Sequence, residues 1–202
     1  MKHLATRLVA SAALLAATPA LAAGFETGTT LPDLQVTDTA GTVHNLADFR
    51  GQNVVLEWTN HGCPYVKKHY STDNMQTLQR EAAADDVVWL SVVSSAPGKQ
   101  GHVSPAEADE LTASRAAAPA AVILDPEGTT GRTFDAKTTP HMYIVDGEGV
   151  LRYQGAIDDN SSSNPATVRG ATNYVRQALA EIDAGQPVSV SDTQAYGCSV
   201  KY

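Results

Sequence analysis

The segment Val54-Val55-Leu56-Glu57-Trp58-Thr59-Asn60-His61-Gly62-Cys63-Pro64-Tyr65-Val66-Lys67-Lys68-His69-Tyr70 constrains this chain more than any other. Val54 to Trp58 reads as a buried strand, and a tight polar turn follows it. Pro64 then reads as the first residue of a helix, a position where its missing N–H costs no hydrogen bond. Cys63 therefore falls at the N-cap, facing the unpaired N–H groups of the first turn and the positive end of the helix dipole. Both favour the thiolate, which is the nucleophilic form of cysteine. Lys67, one turn on, lies on the same face and adds positive charge. The pattern points to thiol chemistry at Cys63.

The rest of the chain supplies the frame. Leu34–Asp38 and Val43–Leu46 alternate around Thr39-Ala40-Gly41, as a small hairpin does. After the strand and turn, the spacing of Met75, Leu78 and Ala82 predicts one helix from Pro64 to about Ala83. Val87–Val93 is a continuous apolar run, expected of a central parallel strand covered on both faces. Ser104-Pro105-Ala106-Glu107 is a capping box with proline at the first helical position, opening a helix to about Ala117. A strand is expected at Ala121–Asp125 and a short helix at Thr129–Ala136. Met142–Asp146 and Val150–Tyr153 flank Gly147-Glu148-Gly149 as a second hairpin. Asp158–Pro165 reads as a polar loop, and a last helix is expected from about Pro165 to Ala184. The order predicts an α/β fold with a mixed sheet between helices.

Residues 1–23 read as an export signal: Lys2 and Arg7, an apolar run from Leu8 to Ala17, then Ala20-Leu21-Ala22 as a cleavage pattern. The run is too short to span a bilayer, and no later stretch is long and apolar enough to do so. The mature chain is expected to be soluble and periplasmic. Its formal charge, −8 less the two positive residues of the signal, is −10. Such a surface argues against nucleic acid or anionic lipid as partners. Residues 24–186 form the expected domain, and 187–202 a loosely held tail carrying Cys198.

Cys63 and Cys198 are the only two cysteines. In an oxidising compartment a pair suggests a disulfide. One reading is a static staple, for which the chain-entropy model allows roughly 4–5 kcal/mol. The other is a reversible pair in which Cys63 attacks and Cys198, on a mobile tail, resolves.

These elements resemble the thioredoxin fold, with the N-terminal hairpin and helical insertion of peroxiredoxins. Three segments carry the likeness: Leu31–Gly51, the turn Trp58–Pro64, and Thr138-Thr139-Pro140 before a strand. The first is similar to the lead-in of the alkyl-hydroperoxide-reductase/thiol-specific-antioxidant superfamily (the redoxin domain). The resemblance implies that Pro140 follows a cis bond and that the Thr139 backbone meets the active-site sulfur. It implies a thiol oxidoreductase without metal or organic cofactor. The substrate would be a peroxide or a protein disulfide, and an external thiol protein the electron donor. Two departures stand out. Asn60 lies three residues before Cys63, so no Cys-x-x-Cys exists. The peroxiredoxin pattern Pro-x-x-x-Thr/Ser-x-x-Cys has Leu56 and Asn60 at its first two fixed positions, with Thr59 one place off, leaving Asn60 or Thr59 to polarise the reacting group.

His61 is expected to tune the Cys63 pKa together with Lys67. His69, with Lys67 and Lys68, reads as the solvated side of the helix, Asp158-Asp159 as a solvated acidic face, and Trp58 as wall beside the turn. The competing reading is a non-enzymatic copper or zinc carrier using Cys63 with His141 or His61, although one thiolate with scattered histidines is a weak ligand set. Whether Cys198 reaches Cys63 of its own chain or of a second copy in a homodimer is left open by the sequence.

Overall fold

The computed structural model describes residues 24–202, so the expected export signal lies outside the described residues. Strands β1 (Gln35–Thr37) and β2 (Val43–Asn45) form the expected antiparallel hairpin. A central strand β3 (Val54–Trp58) is buried at every position. Helix α1 (Pro64–Ser71) and helix α2 (Asn74–Ala84) follow it. Then come β4 (Val88–Val93), α3 (Pro105–Ser114), β5 (Ala121–Leu124) and a short α4 (Thr129–Thr133). The chain continues through β6 (Thr138–Thr139), β7 (His141–Val145), β8 (Leu151–Gly155), α5 (Tyr174–Asp183) and β9 (Cys198–Ser199).

Five strands make the main sheet in the order β5-β4-β3-β7-β8. β3 runs parallel to β4 and β4 to β5, while β7 and β8 are antiparallel to their neighbours. This is the expected mixed sheet. One face packs Val55, Trp89 and Ile144 against Val66, Tyr70, Leu78 and Val175 from α1, α2 and α5. The other packs Leu56, Trp58 and Tyr143 beneath Leu31, Val36, Leu46 and Phe134. Burying both faces explains why the sequence around β4 reads as a continuous apolar run. Among the described residues no helix is long and apolar enough to cross a membrane.

Two helices expected to be continuous are interrupted. α1 and α2 are separated at Thr72-Asp73, where Asp73 adopts a left-handed φ of 57°. The freed groups are satisfied locally: the Gln76 amide donates to the Tyr70 carbonyl at 2.8 Å and the Thr72 hydroxyl to the Lys68 carbonyl at 2.9 Å. Ser71-Thr72-Asp73 accounts for the break, since short polar side chains offer the backbone alternatives to helix. Likewise Pro165–Thr167 is only a 3-10 turn, and α5 starts at Tyr174 behind the Asn173 cap, whose side chain accepts from the Arg176 N–H. The Ser104–Glu107 capping box forms as expected.

The tail is the larger correction. Expected to be loose, it is docked along its length. β9 pairs antiparallel with β6, the Val200 N–H donates to Lys137 O at 3.0 Å, and the Tyr202 hydroxyl donates to Ala136 O at 2.7 Å. The Tyr202 ring fits because Gly131 leaves room; a Cβ there would lie 2.5 Å from its hydroxyl.

Candidate active site

β3 delivers the chain to the turn. The Thr59 N–H extends the ladder to Val92 O, and Asn60 then folds the backbone back on itself. Its side-chain oxygen accepts from the Gly62 N–H at 2.9 Å, and its amide donates to Gln100 O at 3.1 Å. The Cys63 N–H donates to Asn60 O at 3.0 Å and the Cys63 carbonyl accepts from the Lys67 N–H at 2.9 Å. Cys63 is thus the N-cap, with extended backbone angles and Pro64 as the first helical residue.

The Cys63 side chain is fully buried, and its sulfur lies 3.1 Å from the Thr139 carbonyl oxygen. The Thr139–Pro140 bond is cis. Across β6 the pairing sets Thr139 opposite Cys198, and both cysteines are free thiols. Gly197 makes this approach feasible: its φ is 147°, and a Cβ there would lie 2.1 Å from the same Thr139 oxygen.

The two thiols are electrostatically unequal. Protonated, Cys63 donates to Thr139 O. Deprotonated, it accepts from the Cys198 thiol and N–H, while the Val66 N–H of the first turn faces it without closing a capping hydrogen bond. Burial opposes the charge, but the donors win and the Cys63 pKa falls below its ordinary value. Burial pushes Cys198 up to about 11, with its hydrogen bond to Cys63 and the charge of that neighbour adding to the rise. Of the two thiols the arrangement therefore makes Cys63 the one that ionises first, with Cys198 left as the thiol.

The other expected residues divide. Asn60 is buried, and its amide oxygen and one N–H are committed to shaping the turn and tying it to the 96–101 loop. Thr59 is buried with no partner for its hydroxyl, as is the hydroxyl of Thr139. His61 is half-buried beside Thr59 and Arg115 in a cavity of about 20 Å³, and burial, followed by the charges of Arg115 and Lys67, lowers its pKa. Lys67 is exposed.

Trp58 and His141 sit opposite each other on β3 and β7 and so share a face of the sheet. Trp58 packs in the core on the side away from Cys63, its indole N–H donating to Ser94 at 3.0 Å. Trp89, in contrast, shares the Cys63 side. His141 Nδ1 accepts from the Lys137 N–H at 3.3 Å, and burial lowers its pKa to about 4. The carrier reading paired Cys63 with His141 or His61, and among the described residues no three histidine, cysteine or carboxylate side chains are grouped to hold a metal ion.

Lys68, His69 and Asp158 reverse the sequence expectation of solvated faces: all three are buried. Lys68 Nζ donates to Asn160 O at 2.7 Å and lies 3.5 Å from Asp158 Oδ2. The Tyr196 hydroxyl, from the tail, donates to the other Asp158 oxygen. His69 Nε2 lies 3.3 Å from that hydroxyl and its Nδ1 2.9 Å from the Asn74 amide nitrogen. The helical pattern could not show this, because the cover comes from the loop after β8 and from the tail.

Solved structures share this architecture. An uncharacterized conserved protein from Geobacillus kaustophilus aligns with a TM-score of 0.76 at 23% identity, over 88% of this chain and 93% of its own. A hypothetical protein from Sinorhizobium meliloti 1021 gives 0.76 at 18% identity, over 89% and 96%. A protein described as a candidate thiol:disulfide interchange protein from Chlorobium tepidum gives 0.52 at 23% identity, over 65% and 85%. These likenesses establish the thioredoxin-like fold. No curated protein matches the chain. Residues 27–154, well over half of the chain, match the AhpC/TSA family model, so the chain belongs to the AhpC/TSA family and is a thioredoxin-fold thiol oxidoreductase.

Proposed function

We propose that the protein runs a two-thiol cycle in which Cys63 takes the oxidant and Cys198 of the same chain resolves it. One observation carries the reading: Cys198 pairs opposite Thr139, whose carbonyl oxygen lies 3.1 Å from the Cys63 sulfur. The lowered Cys63 pKa and raised Cys198 pKa fit the roles of attacking thiolate and waiting thiol.

A peroxide is the favoured oxidant. With the tail docked Cys63 has no exposed surface, and β9 occupies the β6 edge that an extended disulfide substrate would need. The Cys63 thiolate attacks one peroxide oxygen, the O–O bond breaks, and the departing alkoxide or hydroxide takes a proton. The resulting sulfenic acid condenses with the Cys198 thiol, forming the S–S bond and releasing water. An external dithiol protein then reduces the disulfide by exchange. Thr59, with its unpartnered buried hydroxyl, is the candidate to polarise the peroxide, and Asn60 holds the turn. The expected export signal supports a periplasmic setting.

Protein-disulfide exchange is the second reading. It is favoured by β6 accepting β9, an extended cysteine-bearing strand, and by Leu56 and Asn60 standing at the Pro and Thr/Ser positions of the peroxiredoxin pattern.

The test mixes fully reduced protein with a small excess of hydrogen peroxide and follows intact mass. Rapid loss of two hydrogens, absent in Cys63→Ser and arrested at the gain of one oxygen in Cys198→Ser, is the expected result. Oxidation no faster than that of a free cysteine thiolate overturns the peroxide reading. Rapid closure with oxidised glutathione in the same protein would then identify disulfide exchange.

A further inference from the structure

We propose that Lys68, His69, Asp158 and Tyr196 form a positioning latch that sets the register of the resolving thiol and closes the tail over Cys63. The inference rests on the two-thiol reading above and adds to it four residues that take no part in the chemistry.

The geometry joins both thiol-bearing elements. Lys68 and His69 belong to α1, the helix that Cys63 caps, and Tyr196 lies two residues before Cys198. Asp158 follows β8 and bridges them, receiving the Tyr196 hydroxyl on one oxygen with Lys68 Nζ 3.5 Å from the other. The Tyr196 ring also packs edge-on against Tyr65 of α1 at 5.9 Å, and Lys68 Nζ lies 5.3 Å from its centroid. Tyr196 and Cys198 both pack against the core cluster that contains Cys63.

A buried ion pair is on average no more stabilising than apolar groups of the same volume, so its use here is better explained by specificity. The specificity needed is evident. β6 and β9 pair over only two residues, and a slip of one residue would turn Cys198 away from Thr139. The far end is held by the Val200 N–H on Lys137 O, the Ala96 N–H on Lys201 O and the Tyr202 hydroxyl on Ala136 O. The phenol locked on Asp158 fixes the near end, so Cys198 meets the sulfur in one phase only.

The test is Tyr196→Phe, which keeps the ring and removes the hydroxyl, with Asp158→Asn as the second variant. After peroxide addition, closure of the Cys63–Cys198 disulfide is expected to slow about tenfold in Tyr196→Phe, the weight of one hydrogen bond to a charged acceptor. The rate of Cys63 oxidation should not fall, and the unclosed sulfenic acid should be trapped by dimedone in proportion to the slowed closure. A structural role alone would lower stability without separating these two steps. Independently of any oxidant, the iodoacetamide labelling rate of Cys63 in reduced protein should rise about tenfold in both variants as the cover loosens. Wild-type closure and labelling rates in folded Tyr196→Phe would overturn the latch. A wild-type protein that never closes its disulfide would instead overturn the two-thiol reading, and the labelling experiment would still decide whether the latch exists.

Discussion

Two buried polar clusters flank α1 and they are built on opposite principles. Around Glu57 a carboxyl in the middle of β3 is surrounded by donors: the Tyr70 hydroxyl at 2.9 Å, the Trp89 indole at 2.9 Å, Ser91 at 3.1 Å and Gln79 at 3.2 Å. Every member sits on β3, α1, α2 or β4. Around Asp158 the members are Lys68 and His69 of α1 and Tyr196 of the tail. The first cluster satisfies the scaffold's own core. The second can be satisfied only while the tail is docked, because one of its groups arrives with the tail. A buried polar network is rigid in proportion to how completely it is satisfied. The comparison therefore predicts a fixed site under a cover that can open.

The largest expected effect lies in the first cluster. Glu57→Leu strands four buried donors and should cost roughly 3–5 kcal/mol, read as a lowered midpoint in urea with the slope unchanged. Retained stability would show that the scaffold does not depend on this hub.

Acid should separate the clusters, because their pKa shifts have opposite signs. Burial, followed by the neighbouring Lys68 charge and opposed by Asp158, holds His69 at about 4 instead of 6.5. An unfolded His69 takes a proton first, so stability falls as pH drops from 6.5 through 4, by roughly 3 kcal/mol in full, and docking weakens by the share of that burial which the tail supplies. Glu57 is raised by burial against its hydrogen bonds. Its contribution is present below its unfolded pKa and lost as pH rises through the folded one. Between pH 6.5 and 4 the tail amides should shift in NMR spectra before the core amides do. Simultaneous change would mean that the tail and core unfold as one unit, with His141, also held at about 4, sharing the penalty.

A smaller effect on stability, yet a large one on chemistry, is expected from Gly197→Ala. The new Cβ would stand 2.1 Å from Thr139 O at a backbone angle that side chains rarely adopt. About 1–3 kcal/mol of local strain should undock β9 while leaving the core intact. Disulfide closure should fall sharply with little change in the thermal midpoint. Normal closure would show that the tail has another route to Cys63.

The smallest stability effect belongs to Thr59→Val. The hydroxyl is buried without a partner, so its loss should change stability by less than about 1 kcal/mol. Slower oxidation of Cys63 in this variant would support Thr59 as the group that polarises the oxidant. An unchanged rate would remove it from the site.

What the sequence could convey follows the range of the forces involved. The Cys63–Pro64 cap, the Ser104–Glu107 capping box and the two hairpins rest on contacts within a few residues, and all of them form. The break at Thr72-Asp73 was legible only as three short polar residues inside a helical pattern. The face taken by Trp58 was not legible, because a strand buried on both sides carries no alternation to read. Nor were buried Lys68 and His69, which have the residue types of a solvated helix face.

By itself the sequence determined that Cys63 caps a helix at the end of a buried strand, and that a Cys-x-x-Cys exchange is excluded with Asn60 three residues before it. Proline sterics and helix capping act locally and need no partner from elsewhere in the chain. Only the tertiary structure decided that Cys198 lies across Thr139 from that sulfur, under a tail held by Asp158 and Tyr196. Desolvating Lys68 and Asp158 is costly unless each meets the other and its remaining hydrogen-bond partners, and those groups come together only when α1, the loop after β8 and the C-terminal tail meet.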